Sequence, residues 1–308
     1  MAPLKENNRL QSIRWKLIIA VTLFGATIWI SATVLDLTAV VTAMTALPMQ
    51  TALVIMVLGA ASWLLRGLRT WMLFDQLPLS EALGLSFLHN TANNLAPMRL
   101  GELALPMLAR WLGGVEFSVG LTSLLWIRLL DFISLIGISL CIVLLPVAGT
   151  VMLALLAALI FLTPLLLGFI VPKTQHIQLP EILAKARAQL IYEAQNGKRL
   201  HRMWRLTILS WLSKIMGMGV LLATLSGIPM TEVVTTILGA ELSSILPIHG
   251  FAGAGSYEAG GVFGSAFMGL SPVVALEMTI QLHIYVLSLT AVFGILGALL
   301  LLKRTIDG

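Results

Sequence analysis

The sequence predicts an all-α integral membrane protein. It should have about six full transmembrane helices and two oppositely oriented re-entrant or broken helical hairpins, an arrangement that allows an inverted repeat. Of its 308 residues, 58% are hydrophobic and only 11% are charged, whereas soluble domains carry about 25% charged residues. Several apolar stretches reach about 18 residues, the length that crosses a hydrocarbon core of about 30 Å. Two further apolar segments are interrupted by proline, glycine and charge, which is typical of broken membrane hairpins.

The distribution of basic residues predicts the orientation of the first two spans. The first covers about Leu17–Leu35 and follows four basic residues. Its apolar part is longer than the roughly 7–15 residues of a signal peptide, so we expect a retained span. The second covers about Gln50–Leu65, extending as far as Phe74, and carries Arg66 and Arg69 near its far end. By the positive-inside rule, the N-terminus and this arginine-bearing end are cytoplasmic.

The later spans follow the same rule. Two of them, about 117–145 and 148–171, form a hairpin around an uncharged turn. The hydrophilic stretch at about 173–205 has apolar residues at helical spacing, which indicates a cytoplasmic amphipathic helix, either solvated or in contact with lipid headgroups. Spans at about 206–225 and 273–302 then lead outward and back. We therefore expect one polytopic domain over residues 1–308 in the cell (inner) membrane, with both termini cytoplasmic.

Two apolar pieces remain, Leu79–Gly113 and Ile228–Ser271. Given the orientation of the neighbouring spans, the first must enter and leave from the inside, and the second from the outside. Each contains a proline, then glycines, then a glutamate. Proline ends a helix, glycine permits a tight turn, and the exposed N-terminus of a half-helix is a ready anion site. The residues expected to break these helices are Pro97, Gly101, Pro247, Gly253 and Gly255.

Charged residues within these segments are the candidates for binding a substrate. A charged side chain at the bilayer centre costs at least about 2.5–3.5 kcal/mol, so it should face the protein interior and have a partner. Arg128 and Asp131 share one helix face because they are three residues apart; they form either a structural ion pair or part of a headgroup site. Asn94 either binds substrate or caps the broken helix. The substrate-binding candidates are Asn94, Arg99, Glu102, Arg128, Asp131 and Glu258.

Three further residues could carry protons, namely Glu241, His249 and His283. Histidine changes charge near neutral pH, which suits this role, although a histidine satisfied by a polar neighbour is the commoner case. The spacing of Gly260 and Gly264 indicates close helix packing.

Three stretches together resemble the lysylphosphatidylglycerol synthase transmembrane family, a flippase-like domain. They are "NNLAPMRLGELALPMLA", "WIRLLDFISL" and "LPIHGFAGAGSYEAGGVFGSAFMGLSPVVA". The resemblance extends from about Trp63 to Leu302 and implies a membrane protein that moves a lipid between leaflets. The family's polar motif falls on Asn94, Pro97, Arg99, Gly101, Glu102, Arg128, Asp131, Gly253, Gly255 and Glu258.

The sequence departs from this family in two ways. No soluble aminoacyl-transfer domain follows the membrane part within these 308 residues, so we do not expect lysine-lipid synthesis and the substrate stays open. Met98 stands where a glycine is expected between Pro97 and Arg99, which should alter the local turn.

The leading hypothesis is a flippase for a phospholipid or polyprenyl-phosphate-linked lipid. Arginines would attract the phosphate in a polar midplane cavity. The expected partner is a membrane lipid with an anionic or zwitterionic headgroup, and the sequence also allows a homo-oligomer. We expect no enzyme activity, no cofactor, no metal and no nucleic-acid partner. The alternatives are a structural or partner-binding membrane subunit and, as a minor one, a rhomboid-like serine protease using Ser256 and His283.

Overall fold

The computed structural model describes residues 3–144, 149–178, 181–245 and 250–307. Every regular element among these described residues is helical, which confirms the all-α prediction. The α-helices, in chain order, are α1 (Pro3–Val34), α2 (Leu37–Thr45), α3 (Met49–Leu73), α4 (Leu79–Leu95), α5 (Ala104–Gly113), α6 (Phe117–Leu144), α7 (Thr150–Lys173), α8 (Glu181–Gln195), α9 (Gly197–Ser226), α10 (Met230–Ser243), α11 (Ser256–Ser265) and α12 (Pro272–Asp307).

Four of the described helices are long and apolar enough to cross a membrane, namely α3, α6, α9 and α12. A fifth candidate consists of residues 18–34 of α1 followed by α2, which are bent by 87° relative to each other. Asp36 causes a new helix to begin at the bend, because its carboxylate accepts the backbone N–H of Ala39 at 3.0 Å. The protein is therefore a multi-pass membrane protein, and the count of about six spans stays a prediction.

The basic stretch between α7 and α9 differs from the prediction. The expected amphipathic segment at about 173–205 contains α8 and also the first turns of α9, which begins at Gly197 and not near residue 206. Leu200, Met203 and Trp204 are buried on those first turns, and their three- and four-residue spacing continues the helix into the span. Helix α8 packs against α6 and α7.

The first interrupted segment is helical on both sides of a break. Helices α4 and α5 have 17 and 10 residues, and each is shorter than the roughly 20 residues that cross a bilayer. Between them, Pro97–Leu103 forms a 3₁₀ segment in which Met98 and Arg99 have φ values of 54° and 58°. These left-handed conformations turn the chain, as the proline and glycine pattern predicts.

The second interrupted segment is an antiparallel hairpin of α10 and α11. Gly239 on α10 lies against Gly260 on α11, and one turn earlier Thr235 lies against Gly264. A Cβ atom on either Gly239 or Gly264 would overlap the facing backbone. The predicted close packing at Gly260 and Gly264 is thus confirmed, because only glycine lets the two backbones approach this far.

The chain folds into two compact units. The first unit comprises Met1–Ile55, Thr91–Gly101 and Met218–Thr290, and the second comprises Met56–Asn90, Glu102–Gly217 and Ala291–Gly308. The first unit thus contains residues 97–101 of the first break together with the whole second segment. The second unit has an apolar core around Trp126, which is fully buried.

Candidate functional site

A buried ion pair lies in the second unit. Arg69 of α3 donates two hydrogen bonds to Asp131 of α6, at 2.7 Å and 3.1 Å. The side chains of Arg69 and Asp131 are 4% and 7% exposed. The guanidinium also donates to the hydroxyl of Thr207 at 2.9 Å, and the indole N–H of Trp211 donates to Asp131 at 3.1 Å. This two-pronged pair ties α3, α6 and α9 together.

A second, more accessible ion pair adjoins the first. Arg128 lies one helical turn before Asp131, and its Nε lies 3.1 Å from Oε1 of Glu102. Its Nη1 is also 3.8 Å from Oδ2 of Asp131. The side chains of Arg128 and Glu102 are 25% and 23% exposed, several times more than those of Arg69 and Asp131. We call Arg69, Glu102, Arg128 and Asp131 the arginine cluster. Its outer arginine can meet a ligand while its inner pair stays enclosed.

The outer arginine has unused hydrogen-bonding capacity. Nη2 of Arg128 is buried and has no acceptor among the described residues. A guanidinium carries five N–H donors in a planar fork that matches carboxylate and phosphate oxygens. An anionic ligand near Arg128 would therefore gain donors that the described residues leave unused.

An aromatic residue lined by cations borders the cluster. The guanidinium of Arg66 lies 5.0 Å from the ring centroid of Trp211, and the Lys214 ammonium lies 5.4 Å from it. Both are within the range of a cation–π contact. Together with Arg69 and Arg128, these side chains give one part of the second unit a concentration of positive charge.

The sequence predicts only part of this arrangement of charged and aromatic side chains. The charge rule places Arg66 and Arg69 at the cytoplasmic end of the second span, and no pattern gives a role to Thr207, Trp211 or Lys214. One signal was present, because Arg66 and Arg69 have the same three-residue spacing as Arg128 and Asp131. Two arginines on one face of an apolar helix need buried partners as much as they need an anionic surface.

A glutamate–histidine pair, Glu258 and His283, lies in the first unit. Nδ1 of His283 is hydrogen-bonded to Oε1 of Glu258, and Nε2 of His283 lies 2.6 Å from the carbonyl oxygen of Ala252. The other carboxylate oxygen of Glu258 accepts the N–H of Gly255 at 2.8 Å and so caps α11. The pair thus connects α12 to both sides of the glycine-rich break.

Neighbouring polar groups extend this pair. Tyr257 donates its hydroxyl to Glu241 at 3.2 Å, and the rings of Tyr257 and His283 are 5.0 Å apart. The Ser256 hydroxyl is directed to the carbonyl of Gly253 at 3.4 Å. Because both ring nitrogens of His283 face Glu258 and Ala252, the serine–histidine dyad of a protease is not assembled in this arrangement.

The break of the first interrupted segment is held within the first unit. The side-chain amide of Asn94 donates to the hydroxyl of Thr290 at 2.8 Å, and Arg99 donates to the carbonyl of Ile245. Gly101 is buried and packs closely against the carbonyl of Ala92. Asn94 therefore binds a side chain of α12 and does not cap its own helix.

The predicted residues thus divide between the two units. Glu102, Arg128 and Asp131 share the arginine cluster, whereas Asn94, Arg99, Glu241, Glu258 and His283 lie in the first unit. Pro97 opens the first break, and Gly253 and Gly255 have φ values of 84° and 92° in the second. Pro247 and His249 lie outside the described residues. Within the described part of the chain, no three histidine, cysteine, aspartate or glutamate side chains converge as a metal site requires.

Comparison with known proteins gives a family match. The sequence profile of a family described as the lysylphosphatidylglycerol synthase TM region matches residues 17–297. No curated protein and no solved structure matches the chain.

Proposed function

The chain belongs to the lysylphosphatidylglycerol synthase TM-region family, and from that premise we propose that it moves a lipid between the two leaflets of the membrane. The substrate is a phospholipid or a polyprenyl-phosphate-linked lipid, and it is moved without a change of covalent structure. The family match supports a lipid-related role for a multi-pass membrane protein. The observation that carries the proposal is the difference in exposure within the arginine cluster.

The inner pair provides a fixed base for the site. Arg69 and Asp131 share two hydrogen bonds and are almost fully buried. Removing either partner would leave a buried charge without its counter-charge, which is strongly unfavourable. We assign this pair the task of holding α6 in position, with Arg128 one turn away on the same helix.

The outer pair binds the headgroup. Without substrate, Glu102 neutralises Arg128. A phosphate or phosphodiester competes with Glu102 for the guanidinium and gains charge-assisted hydrogen bonds. Glu102 is then available to bind a cationic part of the headgroup, such as the ammonium of an aminoacylated or ethanolamine lipid. The acyl chains remain in the bilayer throughout.

A vesicle assay tests this proposal. The purified protein is reconstituted, and the access of a membrane-impermeant quencher to fluorescent lipids is followed over time. We expect phosphatidylglycerol and phosphatidylethanolamine probes to exchange faster than in protein-free vesicles, whereas a ceramide probe without phosphate does not. Arg128→Gln should slow the exchange about tenfold or more, since hydrogen bonds to charged groups contribute about 1.5–3 kcal/mol. Glu102→Gln should alter the ranking of the two phospholipids.

Arg110→Gln is the matched control. Arg110 is an exposed residue in the last turn of α5, in the same unit, so its loss should leave exchange unchanged. Exchange no faster than in protein-free vesicles would contradict the proposal and favour a structural or partner-binding subunit. An Arg128→Gln variant as active as the Arg110→Gln variant would show that the phosphate binds elsewhere.

A further inference from the structure

The hydrogen-bond partners of His283 determine how many protons the glutamate–histidine pair must hold. Nε2 of His283 faces the carbonyl oxygen of Ala252 at 2.6 Å. A carbonyl oxygen can only accept a hydrogen bond, so Nε2 must carry a hydrogen. Nδ1 faces a carboxylate oxygen of Glu258. That contact is a hydrogen bond only if one more proton lies between the two atoms, either on the imidazole or on the carboxyl group.

The pair therefore has two states that differ by one proton. With the proton, imidazolium and carboxylate, or imidazole and carboxylic acid, share a hydrogen bond. When the proton leaves to water, the neutral imidazole keeps one N–H, which can donate to Glu258 or to Ala252 but not to both. At the other contact a nitrogen lone pair faces an oxygen lone pair, and that contact becomes repulsive. The His283 side chain keeps 12% of its surface exposed and that of Glu258 keeps 6%, so the site is enclosed but not sealed.

The described elements around the pair contribute both ionisable and apolar groups. Helix α10 contributes Glu241, which reaches it through the hydroxyl of Tyr257. Helix α1 contributes apolar contacts, with Leu23 against Gly255 and Phe24 edge-on to Phe251. Glu277 on α12 is bonded to Gln281. His249 lies outside the described residues.

The proton also determines how firmly the break is anchored. Ala252 has a left-handed φ of 55°, and its carbonyl is held by His283. Gly255 has a φ of 92°, and its N–H is held by Glu258. Loss of the proton would break one of the two hydrogen bonds of His283, and with it one connection between the break and α12. A strained break with one anchor removed is free to change conformation.

We propose that His283 and Glu258 together bind and release the proton that controls lipid movement. This proposal rests on the proposed function and names its coupling ion. The protonated pair holds the break of the second interrupted segment against α12, and deprotonation releases it. Each release delivers one proton to water, and each return takes one from water.

The test measures lipid exchange at different pH values in reconstituted vesicles. For the unaltered protein, the rate should change by up to about tenfold per pH unit across the range where the pair titrates, since one pH unit is a tenfold change in proton activity. His283→Gln and Glu258→Gln should each give a flat profile and should abolish the effect of a pH gradient. His201→Gln is the control, because His201 is exposed and bonds to the carbonyl of Gly197 on α9. It should keep the profile of the unaltered protein.

A second measurement does not depend on transport or on the folding of a variant. Nitrogen-15 NMR of the five histidines in the unaltered protein reports the protonation of each ring nitrogen. One histidine should keep a hydrogen-bonded N–H on one ring nitrogen at every pH, while the signal of its other ring nitrogen titrates. The proton proposal is wrong if no histidine behaves in this way, or if the rate of lipid exchange by the unaltered protein does not depend on pH. Either result would contradict it even if the protein moves lipid. If this titration is seen but no lipid moves, the lipid-transport proposal fails instead.

Discussion

Asp131 is a buried carboxylate surrounded by hydrogen-bond donors of the second unit. Its carboxylate accepts hydrogen bonds from Arg69 and Trp211, and Arg128 lies 3.8 Å away. Asp131→Asn would leave these arginines without a full counter-charge. We expect a loss of about 3–5 kcal/mol in the free energy of unfolding, as for other buried pairs that lose one partner. Denaturant titration in detergent micelles would measure it.

Asp75→Asn is the matched comparison for that loss. The Asp75 side chain is 76% exposed and pairs with Arg199 at 3.2 Å, so its removal should cost less than about 1 kcal/mol. A double variant, Arg69→Met with Asp131→Leu, should recover much of the stability, because apolar residues can replace a buried ion pair. Equal stability of the two single variants would mean that the inner pair does not hold the helices.

At the residue scale, the spacing of charged residues along the chain predicted only part of the arginine cluster. The three-residue interval between Arg128 and Asp131 was readable because it lies on one helix. Their partners, Arg69 and Glu102, are on other helices, and Asp131 is 62 residues from Arg69 in the chain. Periodicity describes a single helix and carries no information about which helix faces it. The charge rule placed Arg69 at the cytoplasmic end of its span and gave it no buried partner.

Among the elements, the break of the first interrupted segment holds Met98 in a backbone conformation that is unfavourable for a residue with a side chain. Met98 has a φ of 54°, in the left-handed region that costs a side chain about 1–2 kcal/mol and costs glycine nothing. The family resemblance led us to expect a glycine at this position. Met98→Gly should therefore raise the stability of the protein by about 1 kcal/mol, measured as the shift in its thermal unfolding midpoint.

A methionine-to-glycine substitution inside a helix should have the opposite effect on the stability of the protein. Met107 is 61% exposed within α5, where glycine costs about 1 kcal/mol relative to a good helix former. Met107→Gly should thus lower the unfolding midpoint while Met98→Gly raises it. Two shifts in the same direction would show that the break does not hold residue 98 in the left-handed conformation.

The helix boundaries show which forces can be inferred from the sequence. The ends of α3, α6 and α12 lie close to the predicted spans, because hydropathy and length determine them. The start of α9 was misplaced because the basic residues at 198–205 were interpreted as the end of a polar segment. In the structure, their helix buries Leu200, Met203 and Trp204, and burial of an apolar face outweighs the charge on the opposite one.

For the whole molecule, the family match and the hydropathy pattern agree on a polytopic membrane protein. The match over residues 17–297 runs through segments of both units. Four described helices and one bent pair supply spans by length and composition. Sidedness is different in kind, because it depends on the distribution of lysine and arginine in the loops. It can be tested without knowing how the helices pack.

The sidedness prediction concerns the two interrupted segments. If the first enters from the cytoplasm and the second from the opposite side, their ends must face different solutions. Cys141 is the single native cysteine, so Cys141→Ala gives a background for single-cysteine labelling.

Exposed residues flank both segments: Ser80 and Glu116 at the first, and Thr231 and Ser271 at the second. Cysteine at Thr231 or Ser271 should react with an impermeant maleimide on intact cells, and cysteine at Ser80 or Glu116 only after permeabilisation. Lys198→Cys, in the basic stretch at the start of α9, serves as the cytoplasmic reference. Labelling of all four positions from one side would contradict the opposed insertion, and with it the inverted repeat that the sequence allows.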